Sequence, residues 1–585
     1  MNRRRVSTQV LFSFIMMMFL MVIGCSGGGS DEAAPAPAAK TISGIAAAGA
    51  PIIGTVTIKD SSSTPIERVT TIAADGSYSI DVSGMKAPFA LRADGYVGGR
   101  TYHLYSAAVN ADINGTINIT PFTDLIIANM AQQIAEEYYT SGAFSSMTNG
   151  ELTAAEAALQ AKLQPILTAL GVSASIDLLR TSFNADHTGL DRVIDVVKVT
   201  VDPATVEATL TNILNEETIT VNIAAGGTTT GPAFTDTGVA GGVTAFQAIT
   251  NVFSTFTSLF ATSLPSPSNT TLVNLVDATF LHDGQNRDSF LSQITSNSSM
   301  IGISFTNVVL LSIDEVAGTA VVSFVINQNG IPGTETMNMI KTGGTWRMAG
   351  NRRIAYVNIR AVAQYLPNDG IVGTHIWSGL RVNIDASYPA GAAVQSAVIT
   401  GSGLPGGGFI LNKIIGNSNF MGKEEQLPIS HSNLYYLTND TTIGAIPDNA
   451  EYNIVLKSAA DGGGSVLATY TDTILKRPLK NSELSVASFP AISAPTLTAL
   501  QAYSGGNLTI TWTLPTGLKS ELVDLILTDA GGTHSALVES SLKAVDTSKS
   551  LTITTPAFTV AGRRLMLKTI DIYDRRFETE LWQND

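Results

Sequence analysis

Gly54-Thr55-Val56-Thr57-Ile58-Lys59 and, further on, Tyr78-Ser79-Ile80-Asp81-Val82 set the fold class of this chain. In both, apolar and polar residues alternate with a period of two, which buries one face of a pleated strand and leaves the other wet. Asp75-Gly76 and Asp94-Gly95 supply the turn signals. The same pattern returns at Leu380-Arg381-Val382-Asn383-Ile384 and at Tyr452-Asn453-Ile454-Val455-Leu456. Between these strands lies a segment with the longer period of a helix. Leu159, Leu163, Ile166, Leu167 and Leu170 share one helix face. Thr153-Ala154-Ala155-Glu156 is the expected capping-box start of that helix, and Pro165 its expected kink. Pro121-Phe122-Thr123-Asp124 opens another helix, carrying Leu125, Ile126, Ile127, Met130 and Ile134.

Ahead of the first strand the sequence changes character. Arg3, Arg4 and Arg5 precede an apolar run over residues 10–23, which ends in Met21-Val22-Ile23-Gly24-Cys25-Ser26. The run is shorter than the roughly 20 residues that cross a bilayer, and Cys25 is the only cysteine of the chain. This stretch resembles a bacterial lipoprotein signal peptide. The resemblance implies cleavage before Cys25, acylation of its thiol and, with Ser26 rather than Asp at the next position, an outer-membrane destination. Arg3-Arg4 also resembles a twin-arginine signal, whereas the strongly apolar core at residues 15–20 points to the general secretory route. Lipoproteins of this kind carry two or three acyl chains, enough for a permanent mooring where one chain would bind only marginally. Gly27-Gly28-Gly29-Ser30, with Pro35 and Pro37, reads as a flexible tether.

Loss of residues 1–24 removes three arginines and leaves 31 basic against 48 acidic side chains, a net charge of −17. That balance argues against nucleic acid or an anionic membrane surface as partner, since both need a basic face. With the single thiol acylated, disulfides, c-type haem and thiolate metal sites fall away. Charged residues make up 14% of the chain, below the roughly 25% usual in globular proteins. Ser, Thr, Asn and Gly take their place, as in extracellular β-rich proteins.

Three segments resemble known families. Ile42-Ser43-Gly44, Gly49-Ala50-Pro51, Gly54-Thr55-Val56, Ala74-Asp75-Gly76-Ser77-Tyr78 and Leu91-Arg92-Ala93-Asp94-Gly95-Tyr96 resemble a carboxypeptidase regulatory-like domain. This implies a prealbumin-like sandwich acting as a non-catalytic accessory. An apolar helix over residues 246–264 carries Ile249, Val252, Phe253, Phe256 and Phe260. A turn at Asp283-Gly284 follows it, then a short helix at Asp288-Ser289-Phe290-Leu291. Strands are expected over residues 304–313, 319–328 and 335–341, closed by Thr345-Trp346-Arg347-Met348-Ala349-Gly350. That order is similar to the nuclear-transport-factor-like cone fold shared with ketosteroid isomerase, a family of both enzymes and plain binding modules. Ala494-Pro495-Thr496-Leu497 and the Trp512 strand resemble a fibronectin type III domain, although that family's later tyrosine-containing strands are not evident.

Motifs that carry chemistry do not survive their context. The six histidines (His103, His187, His282, His375, His431, His534) are scattered and include no H-E-x-x-H. Gly401-Ser402-Gly403-Leu404-Pro405-Gly406 fits the dinucleotide pattern literally, but Pro405 and the glycines after it forbid the helix start that would meet a pyrophosphate, so a β-turn is expected. Gly24-Cys25-Ser26-Gly27-Gly28 fits a nucleophile-elbow pattern in a segment with neither strand nor helix. Asp236-Thr237-Gly238 lacks the apolar strand and the second carboxylate of an aspartic protease. Asn184, Asp186, His187 and Asp191 offer calcium-type ligands without the glycine and distal glutamate of an EF loop; the simpler reading is a helix that starts after Thr188. Asp277, His282 and Asp283 lie near the passage from helix to strand, where a cone pocket would open.

The expectation is therefore a multidomain, mainly β chain of β-sandwiches, with one helical insert and one α+β cone-like domain. Its segments are a signal peptide (1–24), a tether (25–40), a carboxypeptidase regulatory-like sandwich (41–120), a helical domain (121–225), a linker (226–242), a cone-like domain (243–360), a sandwich (361–490) and a fibronectin type III-like sandwich (491–585). The expected site is lipidation at Cys25, with no catalytic, cofactor or metal residues and no cofactor. Expected partners are the membrane, through the N-terminal lipid, and a protein, polysaccharide or small-molecule ligand, with no nucleic acid. Two functions stay open: a non-catalytic binding or display protein of the envelope, and an envelope hydrolase or isomerase acting through the cone. A pocket lined with paired carboxylates would favour the enzyme. A space filled by Phe and Leu would favour the binding protein.

Overall fold

Alternation at residues 53–60 and 77–81 buries Val56, Ile58, Tyr78 and Ile80, and these side chains hold two sheets face to face. The computed structural model describes residues 39–230, 232–367, 375–414, 416, 418–423, 433–531 and 534–584. Cys25, the signal peptide, almost all of the tether and His431 lie outside the described residues. Strands Thr41–Ile45 and Ser77–Asp81 form one sheet; the other runs in the order Glu67–Thr71, Ile53–Asp60, Phe89–Val97, Arg100–Ala108. The turn expected at Asp94-Gly95 falls instead in the middle of Phe89–Val97. Gly95 pairs there with Gly54, and a Cβ on either would run into the backbone of the facing strand. The glycines serve close approach rather than chain reversal, which occurs at Gly98 and Gly99, φ +59° and +76°.

Helices α1 (Pro121–Ala131), α2 (Ala135–Ser141), α3 (Asn149–Ala169) and α4 (Gly189–Val196) follow. Thr120 caps α1, and Pro121 sits in its first turn, where a missing N–H is harmless. The capping box of α3 is Thr148 with Glu151, earlier than the expected Thr153 and Glu156. Both of those lie inside α3, where buried Glu156 accepts the Leu178 amide. The helix continues through Pro165.

A wholly helical segment over 121–225 is not what forms. An antiparallel meander of Val197–Asp202, Glu207–Asn212, Glu217–Asn222 and Thr228–Thr230 closes it. The β-branched alternation Val197-Lys198-Val199-Thr200-Val201 is the strand signal that the helical expectation passed over. The segment expected as a linker holds the last meander strand and, from Val239, the start of the next helix. Helices and meander share a core with the first sandwich, in which Ala90 and Tyr105 meet Phe122, Leu163 and Leu210.

Helix α5 (Val239–Phe260) starts and stops earlier than expected. It lies over the antiparallel strands Ser304–Asp314, Thr319–Gln328, Ile331–Thr342 and Thr345–Gly350, paired in chain order. Phe246, Phe253, Phe256, Phe260, Phe324 and Trp346 pack in the space between helix and sheet, with the Phe253 and Phe324 rings 4.6 Å apart. This helix-on-sheet part, where a cone-like domain was expected, has an aromatic interior.

The remaining strands cross the expected boundaries. A seven-stranded sheet runs in the order Leu434–Leu437, His375–Asp385, Tyr356–Leu366, Arg576–Asn584, Gly562–Ile570, Lys519–Thr528, Ser535–Ser541. Tyr356–Leu366 spans the boundary drawn at 360/361, and its parallel pairing with Arg576–Asn584 joins segments drawn apart at 490/491. One end of this sheet packs on the five-stranded sheet that contains Ser396–Thr400 and Glu451–Lys457. Its other end packs on Ala491–Ala494, Gly506–Thr513 and Ser548–Ile553. Trp512 is buried in that second core and donates its indole N–H to Ser520 Oγ at 3.0 Å. The chain is thus a multidomain, mainly β protein whose last two sandwiches share a sheet.

An ion pair is buried in the shared sheet. Arg381 binds Glu578 through two parallel bonds of 2.5 and 2.8 Å, with Glu578 fully buried. Arg381→Met leaves that carboxylate without its cation, a change that costs about 3–5 kcal/mol when a buried pair is broken. Urea denaturation is expected to show this loss as a lower midpoint at unchanged slope.

Candidate binding cleft

A cavity of about 1150 Å³ opens where these parts meet. The hairpin turn at Gly98-Gly99, meander strand Val197–Asp202, strand Ile331–Thr342, strand Tyr356–Leu366, strand Val466–Thr473 and the segment at Tyr573 each contribute to its wall. The hairpin approaches closely because its turn is glycine. A Cβ on Gly98 would already lie 3.3 Å from Val309, and one on Gly99 3.3 Å from Thr334.

The rim is held by polar contacts between the first sandwich and residues 448–476. Asn449 Oδ1 accepts both the Thr101 amide and the Thr101 hydroxyl at 2.7 Å, and that hydroxyl also donates to the Leu475 carbonyl. His103 stands between two carboxylates, Nδ1 2.6 Å from Asp94 and Nε2 3.4 Å from Asp448. Asp448 in turn takes Lys476 Nζ at 2.7 Å, and that ammonium sits 5.0 Å from the Tyr573 ring centre. Asp448 and Asp94 together raise the His103 imidazole to about 9.

Two charged groups face the cleft. On one wall Arg353 donates to the carbonyls of Val357 and Thr471 at 2.8 and 3.1 Å and lies 3.6 Å from Asp472. Asp283 and Glu335 share this wall; burial, and then the charge of Asp283, push the Glu335 carboxyl up to about 7. At the floor Arg360 bonds Asp574 and Glu521, each at 3.0 Å, and Arg576 holds Glu521 through both carboxylate oxygens. Burial works to raise Glu521, but Arg576 and Arg360 hold it down at about 2. Tyr356 keeps 41% of its surface exposed between the two groups.

The residues named for a cone pocket are placed differently. Asp277 is a local cap: its oxygens accept Thr279 N–H and O–H and the Thr342 hydroxyl at 2.7–2.8 Å. His282 Nδ1 accepts the Asn351 amide, and burial lowers its pKa. Asp283, at the hairpin turn, accepts from Asn351 Nδ2 at 2.8 Å and reaches the central cleft. Glu335, Arg353 and Arg360 carried no motif. Gly401–Gly406 forms a turn into strand Phe409–Lys413, and Asp236 a turn into α5.

Of the calcium-type residues, Asn184 is exposed, and Asp186 accepts the Thr188 amide and hydroxyl. His187 and Asp191 come together with Asp195, which sequence reasoning missed because it sits a further turn along α4. Burial raises both carboxyls, Asp191 to about 7 with Asp195 adding to the effect.

The His103 clamp carries a pH signature. A raised imidazole contributes stability that is complete below its unfolded value of about 6.5 and is lost as pH climbs through about 9. His103→Gln is expected to lower the melting temperature near pH 6, with the gap to the native chain closing by about pH 10.

No family model matches this sequence, and no curated protein matches it. Among solved structures, a tetra-tandem repeat from the extending region of a large adhesion protein is 10% identical, covering 93% of this chain and 98% of its own at a TM-score of 0.13. A 1.5-MDa bacterial ice-binding adhesin structure is 13% identical over 46% of this chain and 91% of its own, TM-score 0.13. The FN1–FN3 domains of chicken CNTN1 are 8% identical over 48% and 98%, TM-score 0.14. Scores of that size do not establish a shared arrangement.

Proposed function

We propose that this chain is a binding protein of the bacterial envelope, moored at the outer membrane through an acylated Cys25, that takes a segment of polysaccharide in its central cleft. The observation that carries the reading is the cleft itself, about 1150 Å³ at the junction of the parts. It exceeds the usual size of small-molecule pockets, roughly 300–1,000 Å³, which leaves room for an oligomeric ligand. Its wall supplies what a hydroxyl-rich ligand needs: carboxylates that accept, guanidinium groups that donate, and an exposed tyrosine ring for a sugar face. The aromatic filling of the cone-like part favours binding over catalysis there. Among the described residues no helix is long and apolar enough to cross a membrane.

Calorimetric titration of the mature chain with envelope oligosaccharides is expected to show saturable binding, weakened about tenfold or more by Tyr356→Ala, as loss of an aromatic hot spot would do. Absence of binding across the panel, or equal affinity in the variant, contradicts the reading. Cys25→Ser is expected to leave unprocessed precursor, and normal processing of that variant would contradict the mooring. A hydrolase is favoured by one feature, the raised Glu335 carboxyl beside Asp283. Mass spectrometry separates the two: a binding protein returns its oligosaccharide intact, whereas a hydrolase shortens it and loses that activity in Glu335→Gln.

A further inference from the structure

Asp191 and Asp195, four residues apart, share one side of α4, and His187 in the loop just before the helix joins them. Their ligand-type atoms lie within 4.8 Å of one another. His187 Nδ1 is 3.0 Å from Asp195 Oδ2 and 4.0 Å from Asp191 Oδ2. Ligands roughly 2.0–2.2 Å from a shared tetrahedral ion stand roughly 3.3–3.6 Å apart. The observed spacings straddle that range, and small side-chain rotations would bring the three ligands to it.

A second observation, on Asp191, points to a ligand at this cluster. Asp191 is fully buried; its Oδ2 accepts the His187 amide at 2.7 Å, while its Oδ1 has no hydrogen-bond partner. A buried carboxylate oxygen left without a donor is costly. Among the described residues, no lysine or arginine forms an ion pair with Asp191 or Asp195; both lie against His187. Lys198 and Arg192 act on Asp195 through their charge without forming an ion pair with it. The imidazole is one-quarter exposed, which gives an ion a way in, and the edge-on Phe246 ring at 5.0 Å steadies it.

We propose that His187, Asp191 and Asp195 bind a first-row divalent cation, the imidazole Nδ1 and one oxygen from each carboxylate serving as ligands and water completing the shell. An imidazole among the ligands suits zinc and its neighbours rather than calcium or magnesium, which take oxygen shells. The bound ion rivets the loop before α4 to that helix and, through the His187 ring against Phe246, to α5.

The mature chain, stripped with chelator, is to be titrated with Zn²⁺ by calorimetry and with Co²⁺ by visible absorption. One equivalent is expected to bind, Co²⁺ developing d–d bands of a low-coordinate site. Asp191→Asn and His187→Gln are expected to weaken binding by more than the roughly 10–100-fold that loss of an outer-shell partner costs. Anomalous scattering from a Zn²⁺-soaked crystal gives a reading that needs no variant, with a peak expected between His187 and Asp195. Failure of the native chain to take up either ion, equal affinity in both variants, or a peak located elsewhere overturns the proposal.

Discussion

Strand Arg576–Asn584, lodged between Tyr356–Leu366 and Gly562–Ile570, is the constraint on which the rest of the structure depends. A strand edge exposes a row of unpaired amides and carbonyls that must find partners. The C-terminal strand satisfies two such edges at once, and one of its pairings is parallel, which no tight turn can make. Chain segments far apart in sequence are thereby committed to one sheet. The buried charges follow from that commitment. Glu578 can sit fully buried because the sheet brings Arg381 within bidentate reach from two strands away, and Glu521, on Lys519–Thr528, binds both Arg360 and Arg576 from other strands of the same sheet.

The cleft is a consequence of joining modules rather than a property of any one of them. Each sandwich fills its own interior, and Phe and Trp side chains fill the space between α5 and the sheet it covers. What stays open is the junction, and a junction collects polar surface because it was never part of a core. That accounts for a wall carrying Arg353, Arg360, Glu335 and Asp472 together. It also accounts for the rim, where Thr101, His103 and Asn449 hold first-sandwich and later strands by hydrogen bonds instead of apolar burial.

Much of the local structure was legible in the sequence. The strands Ile53–Asp60 and Ser77–Asp81 follow from alternation, and α1 from Pro121 at its start, because these signals are local and strong. Gly95 misled for a physical reason: glycine marks close backbone approach as well as turns, and only the facing Gly54 decides between them. Glu156 misled because capping-box spacing also occurs inside a helix. The meander at residues 197–222 carried its own alternation, set beside a helical run that drew the boundary too late. The candidate site was least legible. Its residues are assembled by long-range pairing, and the one cluster with local spacing, His187 to Asp195, extends past the loop to which the calcium reading was confined.

Native-state hydrogen exchange tests the shared sheet most directly. If Arg576–Asn584 ties the last two sandwiches together, amides of Tyr356–Leu366 and Gly562–Ile570 open in one cooperative unit, with the same free energy and the same denaturant dependence. Two distinct opening free energies, one for each sandwich, would contradict the account.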